Sequence, residues 1–449
     1  MNARFLDRVT PFQIITLGFL LLISVGTLLL MLPASTRAPG NAAFMDALFT
    51  AVSASCVTGL VLHDTAQYWS LFGQCVILLL IQIGGMGVIT AGLAVFMLSG
   101  RKISLKQRWV MQESISAPQV GGIVRQMRFM LYAAFLIELI GAVLLSFCFS
   151  PEMGLGPGLW YAVFHSVSAF CNAGFDLMGI FGAPFASLTA FRNQPAVQLT
   201  ICALIIAGGL GFLTWQDLKT HKLRLHRYRL QSKLILILTA TLLLGGFLFF
   251  FFYEFALPQW AELSGRERLL SALFQSTTTR TAGFNTVALT NLSAPGQLLT
   301  ILLMLVGGSP GSTAGGFKTT TLAVLLLSAR AVFHRQAHAH CFGRRLAEDV
   351  LRNASAIFML YLLLFLSGGI LICCLDEIPL MGALFESASA IGTVGLSLGY
   401  TPSLSMPSQL ILIFLMYFGR VGGLTMIYAV MSGDSHISSQ FPQERVFVG

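Results

Sequence analysis

Charge is the scarcest property of this 449-residue chain: 10% of its residues are Asp, Glu, Lys or Arg, and 55% are hydrophobic. So few charges cannot solvate the surface of a soluble protein of this length, which leaves an integral membrane chain. Cysteine is equally uninformative. None of the eight forms a C-x-x-C pair and most lie inside apolar stretches, Cys373 and Cys374 among them, so neither a disulfide framework nor a zinc site is indicated. His334, His338 and His340 have a spacing that could bind a metal on a helix, but they stand in a basic loop and read as solvated.

What is present is a series of apolar runs of about 20 residues, the length that crosses a hydrocarbon core about 30 Å thick. The net charge of +9 could suggest a nucleic-acid partner, but its placement argues for topology instead. Segments 100–128, 217–233 and 317–352 carry six Lys or Arg each, whereas the intervening loops carry only Arg37, Arg192, Arg266 and Arg268. Positive residues stay on the cytoplasmic side, so the basic loops and both termini are assigned there and no nucleic acid is expected. Arg4 and Arg8 precede an apolar run at 12–32 whose length fits a retained span better than a signal peptide.

One motif occurs four times between these spans. Its copies are SASCVTGL, SAFCNAGF, TTTRTAGF and SASAIGTVGLS, with glycines Gly59, Gly174, Gly283 and Gly395 separated by 115, 109 and 112 residues. Six positions before each glycine stands a hydroxyl residue: Ser53, Ser168, Thr277 or Ser389. A phenylalanine precedes the glycine by ten positions at Phe49, Phe164 and Phe385, and by nine at Phe274. Glycine tolerates positive φ, so a strand ending in it can turn successive carbonyls the same way, and four such strands about one axis make rings of oxygens. Carbonyl rings replace the hydration shell of a monovalent cation, and Thr393-Val394-Gly395 matches the start of the TVGYG strand of potassium channels before Leu396 and Ser397 depart from it.

The surrounding pattern is an outer helix, a short pore segment, the glycine strand and an inner helix. Outer helices are expected at 12–32, 126–149, 234–257 and 353–375, pore segments at 42–55, 157–170, 266–279 and 380–391, and inner helices at 70–98, 195–216, 296–333 (interrupted) and 407–432. The repeats then span 1–99, 100–216, 217–335 and 336–449. Each crosses the membrane an even number of times, so all four share one orientation around an axis along the membrane normal. The fold class is an all-α integral membrane protein with four parallel pseudo-fourfold repeats around a central pore.

The inner spans have glycine-rich centres at Gly84–Gly87, Gly208–Gly211, Gly307–Gly308 and Gly419–Gly423, which permit close packing around an axis. In the third, Gly307, Gly308, Ser309, Pro310, Gly311, Ser312, Thr313, Ala314, Gly315 and Gly316 form a stretch that a continuous helix does not tolerate cheaply. Non-helical backbone at membrane depth survives where it lines a wet cavity, so this loop is expected in the permeation path as a gate. Arg420 falls near mid-membrane, where an arginine costs about 2.5–3.5 kcal/mol and faces a cavity or a partner; contact with the loop is expected. Glu138, also within a span, reads as purely structural. Gly311-x-x-x-x-Gly316-Phe317-Lys318-Thr319 nearly matches a phosphate-binding loop, but Phe317 displaces the lysine by one and no strand precedes it.

The four repeats, GGSPGSTAGGFKTTT and FGRVGGLT together resemble the superfamily of potassium transporters that contains TrkH and KtrB, over nearly the whole chain and most closely its KtrB branch. The resemblance implies potassium sites at the backbone carbonyls of Cys56, Val57 and Thr58, of Cys171, Asn172 and Ala173, of Arg280, Thr281 and Ala282, and of Gly392, Thr393 and Val394. Arg280 should point away from the ion. It also implies channel-like potassium uptake in the bacterial inner membrane, a homodimer with one pore per subunit, a cytosolic RCK-type nucleotide-binding partner resembling KtrA, and no enzyme activity. Sodium stimulation is left open, and a sodium- or proton-coupled solute symporter is the competing reading.

Overall fold

A chain satisfies its backbone inside the bilayer by forming helices or a closed barrel, and long apolar runs without alternation select helices. The computed structural model describes residues 10–430 other than 89, 92–104, 115–120, 182 and 223, and most of what it describes is helical. The first stretch has α1 (Pro11–Leu30), α2 (Phe44–Ser55) and α3 (Leu71–Met86). The second has α4 (Leu105–Ser114), α5 (Ile123–Met153), α6 (Leu155–Phe170), α7 (Pro195–Gly209) and α8 (Phe212–His221). The third has α9 (Leu230–Phe252), α10 (Gly265–Thr278), α11 (Ala294–Leu305) and α12 (Thr319–Phe333). The last has α13 (Glu348–Asp376), α14 (Leu380–Gly392), α15 (Met406–Val421) and α16 (Gly423–Val430). A two-residue antiparallel hairpin pairs His340 with Arg345 and Cys341 with Arg344, where only a loop was expected.

Helices α1, α5, α9 and α13 are long and apolar enough to cross a membrane. Side chains start several elements: Thr10 and Gln13 form a capping box on α1, Ser264 and Glu267 another on α10, and Ser70 and Ser293 cap α3 and α11. Each long helix packs on the short one that follows it, α1 on α2, α5 on α6, α9 on α10 and α13 on α14. At 12 residues α2 rises about 18 Å, too little to span. Phe49, Phe164, Phe274 and Phe385 are fully buried, so close packing holds each short helix at one depth.

The inner spans differ from expectation. A break was expected only in the third, yet all four are interrupted. Helix α3 ends where Gly87 takes φ +86°, α7 meets α8 at 96° through Gly211 at φ +82°, and α15 meets α16 at Gly422, φ +91°. The physical reason is that the carbonyls at these breaks are used elsewhere: Gly208, Gly209 and Gly419 accept from backbone N–H groups of the 307–316 loop, and Gly84 and Gly85 accept from Arg420. The remainder of the first inner span, 92–98, and the 431–449 tail lie outside the described residues.

Packing between the stretches is cyclic. Helix α3 lies against α6, α7 against α10, α11 against α14, and α15 returns to α2.

Candidate functional site

Each short helix delivers its chain into one extended segment, and the four segments have a common backbone. Val57 and Gly59 have φ +51° and +90°, Asn172 and Gly174 +57° and +70°, Thr281 and Gly283 +59° and +82°, Thr393 and Gly395 +50° and +92°. A positive φ two residues before a positive-φ glycine alternates the hand of the chain, which turns successive carbonyls to one side. The glycines were legible in the sequence; their partners were not. Asn172 is of a type that visits the left-handed region, but valine and threonine are β-branched and cost about 1–2 kcal/mol there, so in the other three copies nothing in the residue type signals it.

Hydrogen bonds from the short helices hold these conformations. The N–H groups of Thr58, Ala173 and Val394 donate to the carbonyls of Ser53, Ser168 and Ser389, each at 2.8 Å. Gly59 N–H donates to Ser53 Oγ at 3.1 Å and Gly395 N–H to Ser389 Oγ at 3.0 Å, while Ser168 Oγ donates to the Phe175 carbonyl at 2.7 Å. In the third segment the hydroxyl is Thr278, not the expected Thr277: Thr278 Oγ1 donates to Phe284 O at 2.6 Å, and Thr277 Oγ1 turns back to Leu273 O. Counting six positions from Gly283 missed this because that copy is one residue shorter.

The four segments touch in a closed cycle. A Cβ on Gly59 would strike the Ala173 carbonyl, and one on Gly174 would lie 2.7 Å from the Ala282 carbonyl. A Cβ on Gly283 would lie 2.5 Å from the Val394 carbonyl, and one on Gly395 would strike the Thr58 carbonyl. Cys56, Val57, Thr58, Cys171, Asn172, Ala173, Thr281, Ala282, Gly392, Thr393 and Val394 are buried. Arg280 is buried as well, and its guanidinium points outward from the cycle, donating to Thr239 O and Gly307 O at 3.4 Å. What meets at the centre is backbone oxygen, suited to a dehydrated cation.

On one side the cycle opens into a cavity of about 440 Å³ lined by all four glycines together with Asp64, Asp176, Asn285 and Ser397. Neither aspartate was singled out from sequence, although they follow Gly59 and Gly174 by five and two residues. Asp64 is committed to its own loops, accepting from Ala66 and Gln67 N–H at 3.0 Å and from Phe185 N–H at 2.9 Å. Burial pushes the Asp176 carboxyl up to about 7; the Met178 N–H opposes this and the charge of Asp64 adds to it.

On the other side lies the 307–316 loop. It is not slack. Gly307 N–H donates to Phe317 O at 2.7 Å, Ser309 N–H to Gly209 O at 3.1 Å, Thr313 N–H to Gly208 O at 3.3 Å and Gly316 N–H to Gly419 O at 3.1 Å. Thr313 Oγ1 reaches Asn172 Oδ1 at 2.8 Å, and the hypothetical Cβ of Gly316 would lie 2.8 Å from Gly392 O, so the loop sits directly against the second and fourth segments. Arg420 donates to Thr313 O, Gly84 O and, at 2.8 Å, Gly85 O, joining the loop to α3. Lys318 Nζ donates to Ala314 O at 2.8 Å and Gly315 O at 3.4 Å, so the near-match to a phosphate loop has its lysine spent on its own turn. A cavity of about 270 Å³ below is lined by Pro310, Ser312, Lys318, Gly419 and Arg420.

Among the described residues Glu138 pairs with no guanidinium. Its carboxylate accepts from Gln82 Nε2 at 3.0 and 3.2 Å, with the Cys171 thiol at 3.8 Å, just behind the second segment.

Several apolar spans, a sharply bent helix pair and a backbone-lined constriction define a multi-pass membrane transport protein. The chain belongs to the TrkH cation transport protein family, whose model matches residues 3–438, and it is therefore an ion transporter and not an enzyme. It is 39% identical to the potassium/sodium uptake protein NtpJ of Enterococcus hirae, covering 100% of this chain and 99% of that one. It is 36% identical to the Ktr system potassium uptake protein B of Bacillus subtilis (98% and 97% covered) and 35% to that of Vibrio alginolyticus (97% and 94%). Among solved structures it resembles the potassium transporter TrkH of Vibrio parahaemolyticus, with TM-score 0.73 at 20% identity, covering 94% of this chain and 84% of that one, a likeness of fold.

Proposed function

We propose that this protein carries potassium into a bacterial cell along a channel-like path through the inner membrane, with the four glycine segments as selectivity filter. The observation that carries the reading is the fourfold recurrence of two positive-φ residues two apart, closed into one cycle with only backbone at its centre. The filter oxygens are those of Cys56–Thr58, Cys171–Ala173, Arg280–Ala282 and Gly392–Val394. Four repeats, 1–99, 100–216, 217–335 and 336–449, surround one pore in parallel orientation, with both termini and the basic loops in the cytoplasm. The 307–316 loop and Arg420 form the gate below the filter. Names of two relatives place them in a Ktr system, which supports partner components for this chain, and the partners we propose are a second copy of the chain and a cytosolic nucleotide-binding subunit of the KtrA kind; the name of NtpJ supports a role for sodium.

Filter glycines provide the test. Serine at Gly59, Gly174, Gly283 or Gly395 forces a Cβ against the adjacent segment's backbone and burdens a left-handed conformation by about 1–2 kcal/mol. In liposomes, each variant should lose about tenfold or more in K⁺ over Na⁺ flux ratio while still folding. Unchanged ratios in all four would sink the carbonyl filter, and flux that demands a coupled solute gradient would favour a symporter.

A further inference from the structure

Where α5 enters the membrane, two adjoining cavities of about 320 and 410 Å³ share Gly122 and Arg125. Arg125 and Lys219 line the first with Arg229; Arg108 and Arg128 line the second. These cations come from three helices, α4, α5 and α8, and from the residue just before α9, and converge although like charges repel. The neighbouring acid balances only one of them: Asp217 accepts from Arg229 N–H at 3.0 Å and Ser232 Oγ at 2.8 Å, and pairs with the Arg229 guanidinium at 3.6 Å. Lys219 Nζ lies 4.5 Å from the centre of the Phe129 ring, which fixes it over α5.

Above the cationic pocket α5 presents an apolar stripe. Arg125, Phe129, Tyr132, Leu136 and Leu139 follow one another at steps of three or four, so they share one face, and Tyr132, Leu136 and Leu139 are 71%, 58% and 61% exposed. On α4, Trp109 is 63% exposed beside Arg108, as an aromatic at a membrane interface is. We infer that this pocket binds the headgroup of an anionic phospholipid whose acyl chains lie along the α5 stripe. Continuity of the cations with lipid-facing apolar surface is what selects a lipid over a free anion or an acidic protein surface, either of which would leave the stripe unused. The inference rests on the proposed orientation, which puts this end of α5 at the cytoplasmic leaflet.

Native mass spectrometry of the purified protein, with phosphatidylglycerol or phosphatidylcholine added, tests it. The wild type should retain phosphatidylglycerol preferentially. Arg125→Gln with Lys219→Gln should weaken that retention about 30-fold, equivalent to about 2 kcal/mol. Arg335→Gln with Arg352→Gln, equal in charge lost but away from the pocket, should leave it intact. Should the first pair not fold, Arg108→Gln with Arg128→Gln probes the same site. Equal retention of both lipids, displacement of phosphatidylglycerol by millimolar inorganic phosphate, equal loss in the control pair, or capture of an acidic soluble protein in place of lipid would each overturn the proposal. Potassium flux in phosphatidylcholine liposomes is measured separately, so failure of lipid retention and failure of the transport reading remain distinguishable.

Discussion

Asp176 is where we propose that local burial bears on ion supply. Its carboxyl is raised to about 7 chiefly by burial, so it is charged at pH 8 and neutral at pH 6. It lines the same cavity as the four filter glycines, where a negative charge attracts cations; a unit charge at about 4 Å in water is worth about 1 kcal/mol, about fivefold in local concentration. Uptake at low external K⁺ should therefore fall two- to fivefold, in round terms, as external pH drops from about 8 to about 6. Asp176→Asn should show the low rate throughout and lose the pH dependence. A wild-type rate flat across this range, or a variant that keeps the slope, would contradict the assignment. The same shift opposes folding: a carboxyl raised above its ordinary value near 3.9 makes its contribution below that pH, and the contribution is lost as pH rises toward about 7.

The proposed gate is an element-scale question, since the loop's position depends on helix ends from three other stretches. Gly208, Gly209 and Gly419 accept its N–H groups, and Arg420 bridges Thr313 to Gly84 and Gly85. Arg420→Ala removes charge-assisted bonds and a cation from the path below the filter, so basal K⁺ flux should rise severalfold without loss of K⁺ preference. Deleting Ser312–Ala314 should raise it further, because Thr313 also anchors the loop to Asn172. Initial K⁺ uptake in cells lacking other uptake systems, at matched expression, measures both; a shortened loop with wild-type closed-state flux would demote it to packing. How legible these elements were in sequence follows from their physics. The four glycine segments were readable because a backbone requirement recurs as glycine at near-constant spacing, and the loop because five glycines and a proline exclude a helix. The breaks at Gly87, Gly211 and Gly422 were not, because glycine clusters within apolar spans equally describe close helix packing. Nor was the bond between Thr313 and Asn172, which joins residues 141 apart in sequence.

At the scale of the whole molecule, the anchors of the proposed gate are spread over α3, α7 and α15, so a force on any loop joined to those helices reaches it. Helix α7 bends by 96° into α8, whose last turn, with Lys219 and His221, belongs to the 217–233 basic segment; α12 follows the loop and belongs to the 317–352 segment. A regulatory subunit that moved these segments would pull Gly208, Gly209 or Thr319 relative to Gly419 and so loosen the loop. The glycine segments are also bonded to the short helices and linked in a cycle through α15 on α2, so the proposed filter has supports that do not move with the loop even though Thr313 touches Asn172. Mild-detergent purification should therefore recover a soluble nucleotide-binding partner, and adding it back should make K⁺ flux nucleotide-sensitive about tenfold or more while the K⁺ over Na⁺ ratio stays constant. Neutralising Arg330, Arg335 and Arg352 together should weaken that control, since their segment is joined through α12 to the loop. A chain that is fully regulated alone, or a partner that alters selectivity along with rate, would mean that regulation acts on the filter and that the loop is not its target.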